Sequence, residues 1–374
     1  MKIAVITPRY AIAGVPLAQI RFAQALFRSG HNVDLIFGCI DHSYDFPVTS
    51  GVNVINLNQE KVRGVFIPLL RYLVRSKPEI IFSAEDHLTA IVLLAAIVTN
   101  TKAKISGSSR VIPYDAEAYS KIPLSKGWYL RHFMKIVMWR ADVLTCVSKD
   151  MVKIYQDVFL NPPHVCVYNI IVTDTCYLRM REHVEHEWFR DRACPIVLAA
   201  GALAEPKGFA DLIQAINLIN QKRMVRLIIL GDGPHRSRLE DLVAFLNLNG
   251  LVSLPGYVEN PLKYFASADV FALSSYAEGL PNVLVEAMMC GCTPVATDCP
   301  TGPREVLADG RYGYLVPMRD PIAMAAGIEM ALNHPIPREL LAEAVRPFEE
   351  DAVLARHFKV LGMADSCFMS KSGN

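Results

Sequence analysis

No two of the nine cysteines stand as a Cys-x-x-Cys pair. An odd, scattered set of this kind reads as reduced thiols of a cytosolic chain, not as a disulfide frame. Cys290-Gly291-Cys292 has the wrong spacing for zinc and reads as core packing. Long apolar runs are also missing. The longest uncharged one, Leu88 to Val98, falls far short of the roughly 20 residues that span a bilayer. The apolar start, Met1 to Pro8, is too short for a signal peptide and reads as a first buried strand. Charge of one sign is missing too: the net value is +1, which argues against a nucleic-acid binder.

What is present is enough chain for two domains, 374 residues with 52% hydrophobic and 20% charged, the balance of a globular protein with an adequate core. The near-zero charge hides an asymmetry. Residues 1–180 hold 20 Lys and Arg against 13 Asp and Glu, and residues 181–374 hold 18 against 24. Short β-branched runs alternate with helix-length segments: Ile3–Thr7, Val33–Phe37, Val52–Ile55, Glu79–Ser83, Ala103–Ser106, Val143–Val147 and Val165–Tyr168. After a polar stretch, Arg179 to Arg192, which reads as a linker or an insertion between domains, they restart at Ile196–Ala200, Arg226–Leu230, Val252–Leu254, Asp269–Leu273, Thr293–Thr297 and Gly313–Val316. Alternation of this kind predicts an α/β protein of two tandem Rossmann-like, doubly wound domains. Ligands collect at the carboxyl ends of such strands, so two domains facing each other would form a cleft. The boundaries expected are 1–175, 176–350, and 351–374 for a C-terminal helix and tail; the helix is expected to cross back to the first domain.

The most informative stretch runs from Ser274 to Gly291. It follows a strand and opens a helix after Gly279-Leu280-Pro281, which leaves free backbone N–H groups as an anion site. Glu278 falls in the loop and Glu286 in the helix. Two carboxylates beside an anion site need hydroxyl donors, which a sugar and a ribose would supply. The plainer reading is a solvated loop residue and an exposed helix residue. In Ala200 to Phe209, Lys207 sits at a strand-to-helix turn between glycines, where it suits a departing diphosphate, although a lone lysine there is weak evidence. Gly231-Asp232-Gly233-Pro234 is a third such turn, without the rest of a dinucleotide fingerprint.

Taken together, Gly201…Lys207-Gly208, Gly231-Asp232-Gly233-Pro234, Pro255-Gly256-Tyr257, Ala268-Asp269-Val270 and Glu278 with seven residues before Glu286 resemble the retaining GT-B glycosyltransferases of family 4. The similarity extends over nearly the whole chain. Thr297 to Glu305 is similar to members that build bacterial surface polysaccharides. The resemblance implies that Glu286 holds the ribose of a nucleotide sugar, with a UDP-sugar expected, and that Glu278 contacts the sugar near the reacting carbon. It implies that Lys207 neutralises the diphosphate and that Gly14, in the loop after the first strand, lets the backbone approach it. Val258 would face the base, and Asn282 and Val283 would take part in donor binding. The chain departs from the family in three places. Ala202 stands where an arginine is usual, leaving Arg236 or Arg304 to compensate; Ala13-Gly14 replaces paired glycines; and Ser108-Ser109-Arg110 replaces a histidine, making Arg110 a candidate for acceptor or donor. Asp-x-Asp occurs nowhere, so neither a metal nor another cofactor is expected. His183 and His186 read as part of an exposed linker.

Lys126 to Arg140 interleaves bases with large apolar residues at helical spacing, as interfacial helices do. Trp128, Arg131, Lys135 and Trp139 are the expected contacts with an anionic membrane. The alternative makes Phe133, Ile136, Val137 and Met138 an ordinary core face. The resulting expectation is a cytoplasmic enzyme, peripheral on the inner face of the membrane. It would move a hexosyl or N-acetylhexosaminyl group, with retention and without metal, from a nucleotide sugar to a lipid-linked or oligosaccharide acceptor. A nucleotide-sugar epimerase of the same fold and a non-catalytic sugar-nucleotide-binding protein are the alternatives.

Overall fold

The computed structural model describes residues 1–10, 14–41, 49–110, 124–156, 158 and 162–363; Ala13 and Cys367 lie outside them. Two compact units divide the chain: Met1–Ile170 together with the segment from Glu350, and Ile171–Glu349.

The first unit runs β1 (Lys2–Tyr10), α1 (Gly14–Arg28), β2 (Asn32–Ile40), β3 (Asn53–Asn56), α2 (Phe66–Ser76), β4 (Ile80–Ala84), α3 (Asp86–Thr99), β5 (Lys104–Ser109), α4 (Lys126–Met138), β6 (Val143–Cys146), α5 (Lys149–Tyr155) and β7 (His164–Cys166). Its strands form one parallel sheet in the order β3-β2-β1-β4-β5-β6-β7, with Ile3 opposite both Val33 and Ile80. Every residue of β4 is buried, as expected where helices cover both faces of a parallel sheet. Local chemistry sets the helix ends. Gly30, at φ +84, closes α1 as the His31 N–H turns back to the Leu26 carbonyl. Ser125 and Ser148 cap α4 and α5 by accepting from the N–H groups of Trp128 and Met151.

The second unit runs α6 (Asp174–Arg179), β8 (Ile196–Ala200), α7 (Phe209–Asn220), β9 (Arg226–Leu230), α8 (Arg236–Phe245), β10 (Val252–Gly256), α9 (Leu262–Ser267), β11 (Val270–Leu273), α10 (Asn282–Met289), β12 (Thr293–Thr297), α11 (Pro303–Val306), β13 (Tyr314–Val316), α12 (Pro321–Asn333) and α13 (Arg338–Val345). Its sheet order is β10-β9-β8-β11-β12-β13, again parallel. Order reverses between β8 and β11, the point where open α/β sheets take their ligands at the carboxyl edge.

The polar stretch from Arg179 to Arg192 is part of this unit, which corrects its reading as a linker. Val184 and Trp188 are buried, Arg226 lies over the Trp188 ring at 5.0 Å, and the Asn260 side-chain amide donates to the Arg179 carbonyl at 2.8 Å. Two apolar anchors among many charges suffice to dock the segment. His186 is half-buried, its Nε2 3.1 Å from Ser253 Oγ. Cys290 and Cys292 are buried, and burial pushes both thiols up, out of reach of deprotonation.

The last helix, α14 (Glu350–Val360), packs on the first unit, as expected. Val353, Leu354 and Phe358 join the core of Ile20, Leu26 and Val33, and Arg28 Nε donates to Glu350 Oε1 at 3.0 Å. His357 is sandwiched by the rings of Phe22, at 4.7 Å, and Phe82, at 5.3 Å.

Burial holds His357 at about 3, helped by the positive charge of Arg110, and burial brings His164 down to about 4 against the pull of Asp86. Both fold as neutral rings, while the unfolded chain binds their protons from about pH 6.5 downward. Stability from these groups is therefore complete above pH 6.5 and is lost as the pH falls towards 4. Between pH 7 and pH 5 each histidine is expected to cost the first unit about 2 kcal/mol. Hydrogen exchange of peptides from β1, β5 and α14 should show that loss, and flat protection across the range would contradict it.

Candidate functional site

At the carboxyl edge of the second sheet, β8 runs into a 3-10 turn over Glu205–Lys207, and Gly208, at φ +63, hands the chain to α7. β11 runs into the loop 274–281 and then into α10. These two connections are bound to one another. Ser274 Oγ donates to the Lys207 carbonyl and the Tyr276 N–H to the Pro206 carbonyl, both at 2.8 Å. Beneath them Tyr276 donates to Asp211 at 2.7 Å, and burial with that bond pushes its phenol up to about 12.

Lys207 and Glu278, 71 residues apart, meet here: Lys207 Nζ donates to Glu278 Oε1 at 2.6 Å, and Ser275 Oγ donates to the same oxygen at 2.7 Å. The Glu278 side chain is 10% exposed and that of Lys207 27%, so Glu278 is not a solvated loop residue. Thr301 Oγ1 holds the Glu278 backbone carbonyl, fixing the loop from a third connection. A carboxylate so little exposed needs such compensation. One lysine proton serves Glu278, and the ammonium carries two more.

Glu286 is 6% exposed and so is not an exposed helix residue. It lies in α10 behind the helix start at Asn282 and Val283, both half-buried. The first turn of a helix directs N–H groups and positive dipole outward. Val258, half-buried, lines a separate hollow of about 340 Å³ with Asn260 and Tyr264. A cavity of about 610 Å³ lies at the opposite edge of the sheet, between Arg181, Asp269 and Arg338, away from these loops. The turn Gly231–Pro234 abuts the β8 loop: the Leu203 N–H donates to the Asp232 carbonyl at 2.9 Å, and a Cβ on Gly231 would come within 2.0 Å of the Gly201 carbonyl oxygen. Neither proposed substitute for the cation lost at Ala202 is uncommitted. Arg236 is held by Asp232 and Glu240 at 2.9 and 3.0 Å, and Arg304 by Asp298 and Asp309.

In the first unit Gly14 is the first residue of α1, not a loop residue, and a Cβ there would meet open space. Arg110, directly after β5, is half-buried and bonded to Asn169. Burial lowers its guanidinium to about 10, against the stabilising charge of Glu85. On α4 the core face is Met134, Val137 and Met138. Phe133 is 38%, Ile136 73% and Trp139 70% exposed, joined by Tyr129. Trp128 is half-buried with its ring 3.9 Å from His132, and Arg131 and Lys135 are half-buried. The sequence alone does not mark Ser275 or Thr301. Ser275 sits in the quoted run beside Glu278, but nothing in the chain's order brings Thr301 to it.

Residues 194–334 match the family model described as Glycosyl transferases group 1. An uncharacterized glycosyltransferase of Methanocaldococcus jannaschii is 29% identical over 66% of this chain and 65% of its own length. A Campylobacter jejuni relative is 32% identical over 52% of each chain; its name describes an N-acetylgalactosaminyltransferase acting on a diphospho-undecaprenol-linked saccharide. The chain thus spans about half to two thirds of the length of these curated relatives. Among solved structures, Anabaena HepE in complex with UDP has a TM-score of 0.74 at 18% identity, covering 97% of this chain and 100% of its own. The fold of the chain is accordingly the two-domain GT-B fold, and residues 194–334, which carry Lys207, Glu278 and Glu286, are similar to the glycosyl transferases of group 1.

Proposed function

We propose that the chain is a retaining glycosyltransferase that moves a sugar from a UDP-sugar to a lipid-linked or saccharide acceptor in bacterial cell-surface polysaccharide synthesis. The observation that carries this reading is the Lys207–Glu278 pair at the point where the second sheet reverses order. In the reaction the bond from the anomeric carbon to the diphosphate oxygen breaks as the bond to the acceptor oxygen forms, and the proton of the acceptor hydroxyl passes to the departing diphosphate. Charge develops on the diphosphate, and in this reading Lys207 and the N–H groups at the start of α10 stabilise it without a metal. Glu278 accepts sugar hydroxyls, Glu286 accepts the ribose hydroxyls, and Gly14 leaves room for the diphosphate. The relatives' names support a diphospholipid-linked acceptor, and HepE's bound UDP supports the donor. Radiolabelled UDP-sugars incubated with the protein and a membrane lipid extract test the reading. Label is expected in lipid; label that isomerises in place, or binds without turnover, would replace transfer by epimerisation or by binding alone.

The donor assignment has its own check. Glu286→Gln is expected to weaken UDP binding about tenfold or more, the worth of a hydrogen bond to a charged group. Unchanged calorimetric affinity would remove the ribose role.

We also assign the exposed stripe of α4, Tyr129, Phe133, Ile136 and Trp139, to an anionic membrane face, with Arg131 and Lys135 beside it. No helix of the described residues is long and apolar enough to cross a membrane. Replacing Arg131 or Lys135 by Gln should reduce co-sedimentation with phosphatidylglycerol vesicles about fivefold per residue, and Ile136→Glu should reduce it further. Unaltered sedimentation would reject this surface.

A further inference from the structure

Glu85 follows β4, the strand at which the first sheet reverses order beside β1. Its backbone lies at φ +75, ψ 132, a region that suits glycine. Two bonds hold it there: its N–H donates to the Ser108 carbonyl and its carbonyl accepts from the Thr89 N–H, both at 2.9 Å. The side chain occupies the capping position of α3 and caps nothing. The structural work is done by its neighbour Asp86, which accepts from Ser109 Oγ at 2.5 Å and from the Tyr155 hydroxyl at 2.7 Å. Among the described residues no hydrogen bond or ion pair holds the Glu85 carboxyl, although it is half-buried.

Arg110 stands at the end of the neighbouring strand, two residues beyond the Ser108 whose carbonyl holds the Glu85 N–H, and its Nε is buried without a hydrogen-bond partner among the described residues. Burial and the charge of Asp86 raise the Glu85 carboxyl above its ordinary value, and Arg110 draws it down. The two opposite charges feel one another, yet no ion pair closes between them. A strained backbone and two incompletely satisfied charged groups at a ligand-binding edge are costly to keep unless a ligand uses them.

We propose that Glu85, with Arg110 beside it, binds the hydroxyls of the acceptor saccharide on the first unit. A carboxylate accepts from two hydroxyls at once, and a guanidinium donates to their oxygens. This inference rests on the glycosyltransferase reading for the identity of its ligand class and names the side chain that selects it. Nothing in the sequence marks Glu85, because its signal is a backbone angle.

The test is calorimetric binding of a water-soluble, short-chain prenyl diphosphate carrying an N-acetylhexosamine disaccharide, measured for the full chain and for E85Q and E85G. The wild type is expected to bind. E85Q should lose at least tenfold in affinity, and E85G should lose as much while melting no lower than the wild type, because glycine adopts φ +75 freely. UDP affinity should stay the same in all three. Retention of acceptor affinity within twofold in E85Q or E85G, absence of binding by the wild type, or a parallel loss of UDP affinity would overturn the proposal. Failure of the glycosyltransferase reading is seen separately, as a wild type that neither binds UDP nor moves label.

Discussion

Lys207→Ala is expected to lower kcat by about 10²–10³-fold, the loss found when one preorganised group that stabilises developing negative charge is removed. The expectation is large because Ala202 stands where the resemblance calls for arginine, and Arg236 and Arg304 are held by neighbouring carboxylates. Donor affinity should fall less than kcat, since the charge on the diphosphate grows as the sugar leaves. The substitution also strips the 10%-exposed Glu278 carboxylate of its ion pair, so the two residues act as a unit. Lys207→Ala combined with Glu278→Ala should therefore be little worse than the more damaging single change, a departure from additivity typical of residues in contact. Single-turnover rates with saturating UDP-sugar measure this. A loss under tenfold for Lys207→Ala, or strict additivity of the pair, would take Lys207 out of the transition state.

Much of this site follows from local sequence. β8, β9 and β12 begin and end where the β-branched runs do, because a strand buried on both faces must be continuously apolar, and the flanking Gly and Asp residues stop it. The burial of Glu286 is consistent with its position in α10, four residues after the half-buried Asn282. What could not be read has a common physical cause. The bond from Lys207 to Glu278 joins two connections brought together by the sheet's reversal, and Thr301 reaches the same loop from a third; such separations leave no periodic trace. The charged stretch from 179 to 192 reads as a linker because its anchors, Val184 and Trp188, are two residues among many polar ones. On α4, helical spacing alone left Phe133 and Ile136 ambiguous, and only packing separates them from Val137 and Met138.

Gly208→Val is expected to destabilise the second unit by about 4 kcal/mol, the combined cost of a left-handed backbone for a β-branched residue and of overlap in a packed site. Gly208 sits at φ +63, and a Cβ there would stand 2.1 Å from the Ser274 carbonyl oxygen and 3.0 Å from the Tyr276 ring. The obstacle is backbone, so it cannot swing aside as a flexible side chain would. Relief requires the β11 loop to withdraw from the β8 loop. Withdrawal breaks the bonds from Ser274 Oγ to the Lys207 carbonyl and from the Tyr276 N–H to the Pro206 carbonyl. The same movement pulls Glu278 from Lys207, so catalysis should be lost along with stability. For a unit of this size the cost corresponds to a fall of roughly 10 °C in its melting temperature. Gly14→Ala provides the contrast. Its Cβ meets open space and its backbone is already helical, so melting should stay unchanged, and any loss of donor affinity must come from crowding the ligand itself. Equal melting of Gly208→Val and the wild type would mean that the two loops do not depend on one another. The Lys207–Glu278 bond would then be a contact of neighbouring chains, and no longer the pivot on which the site is built.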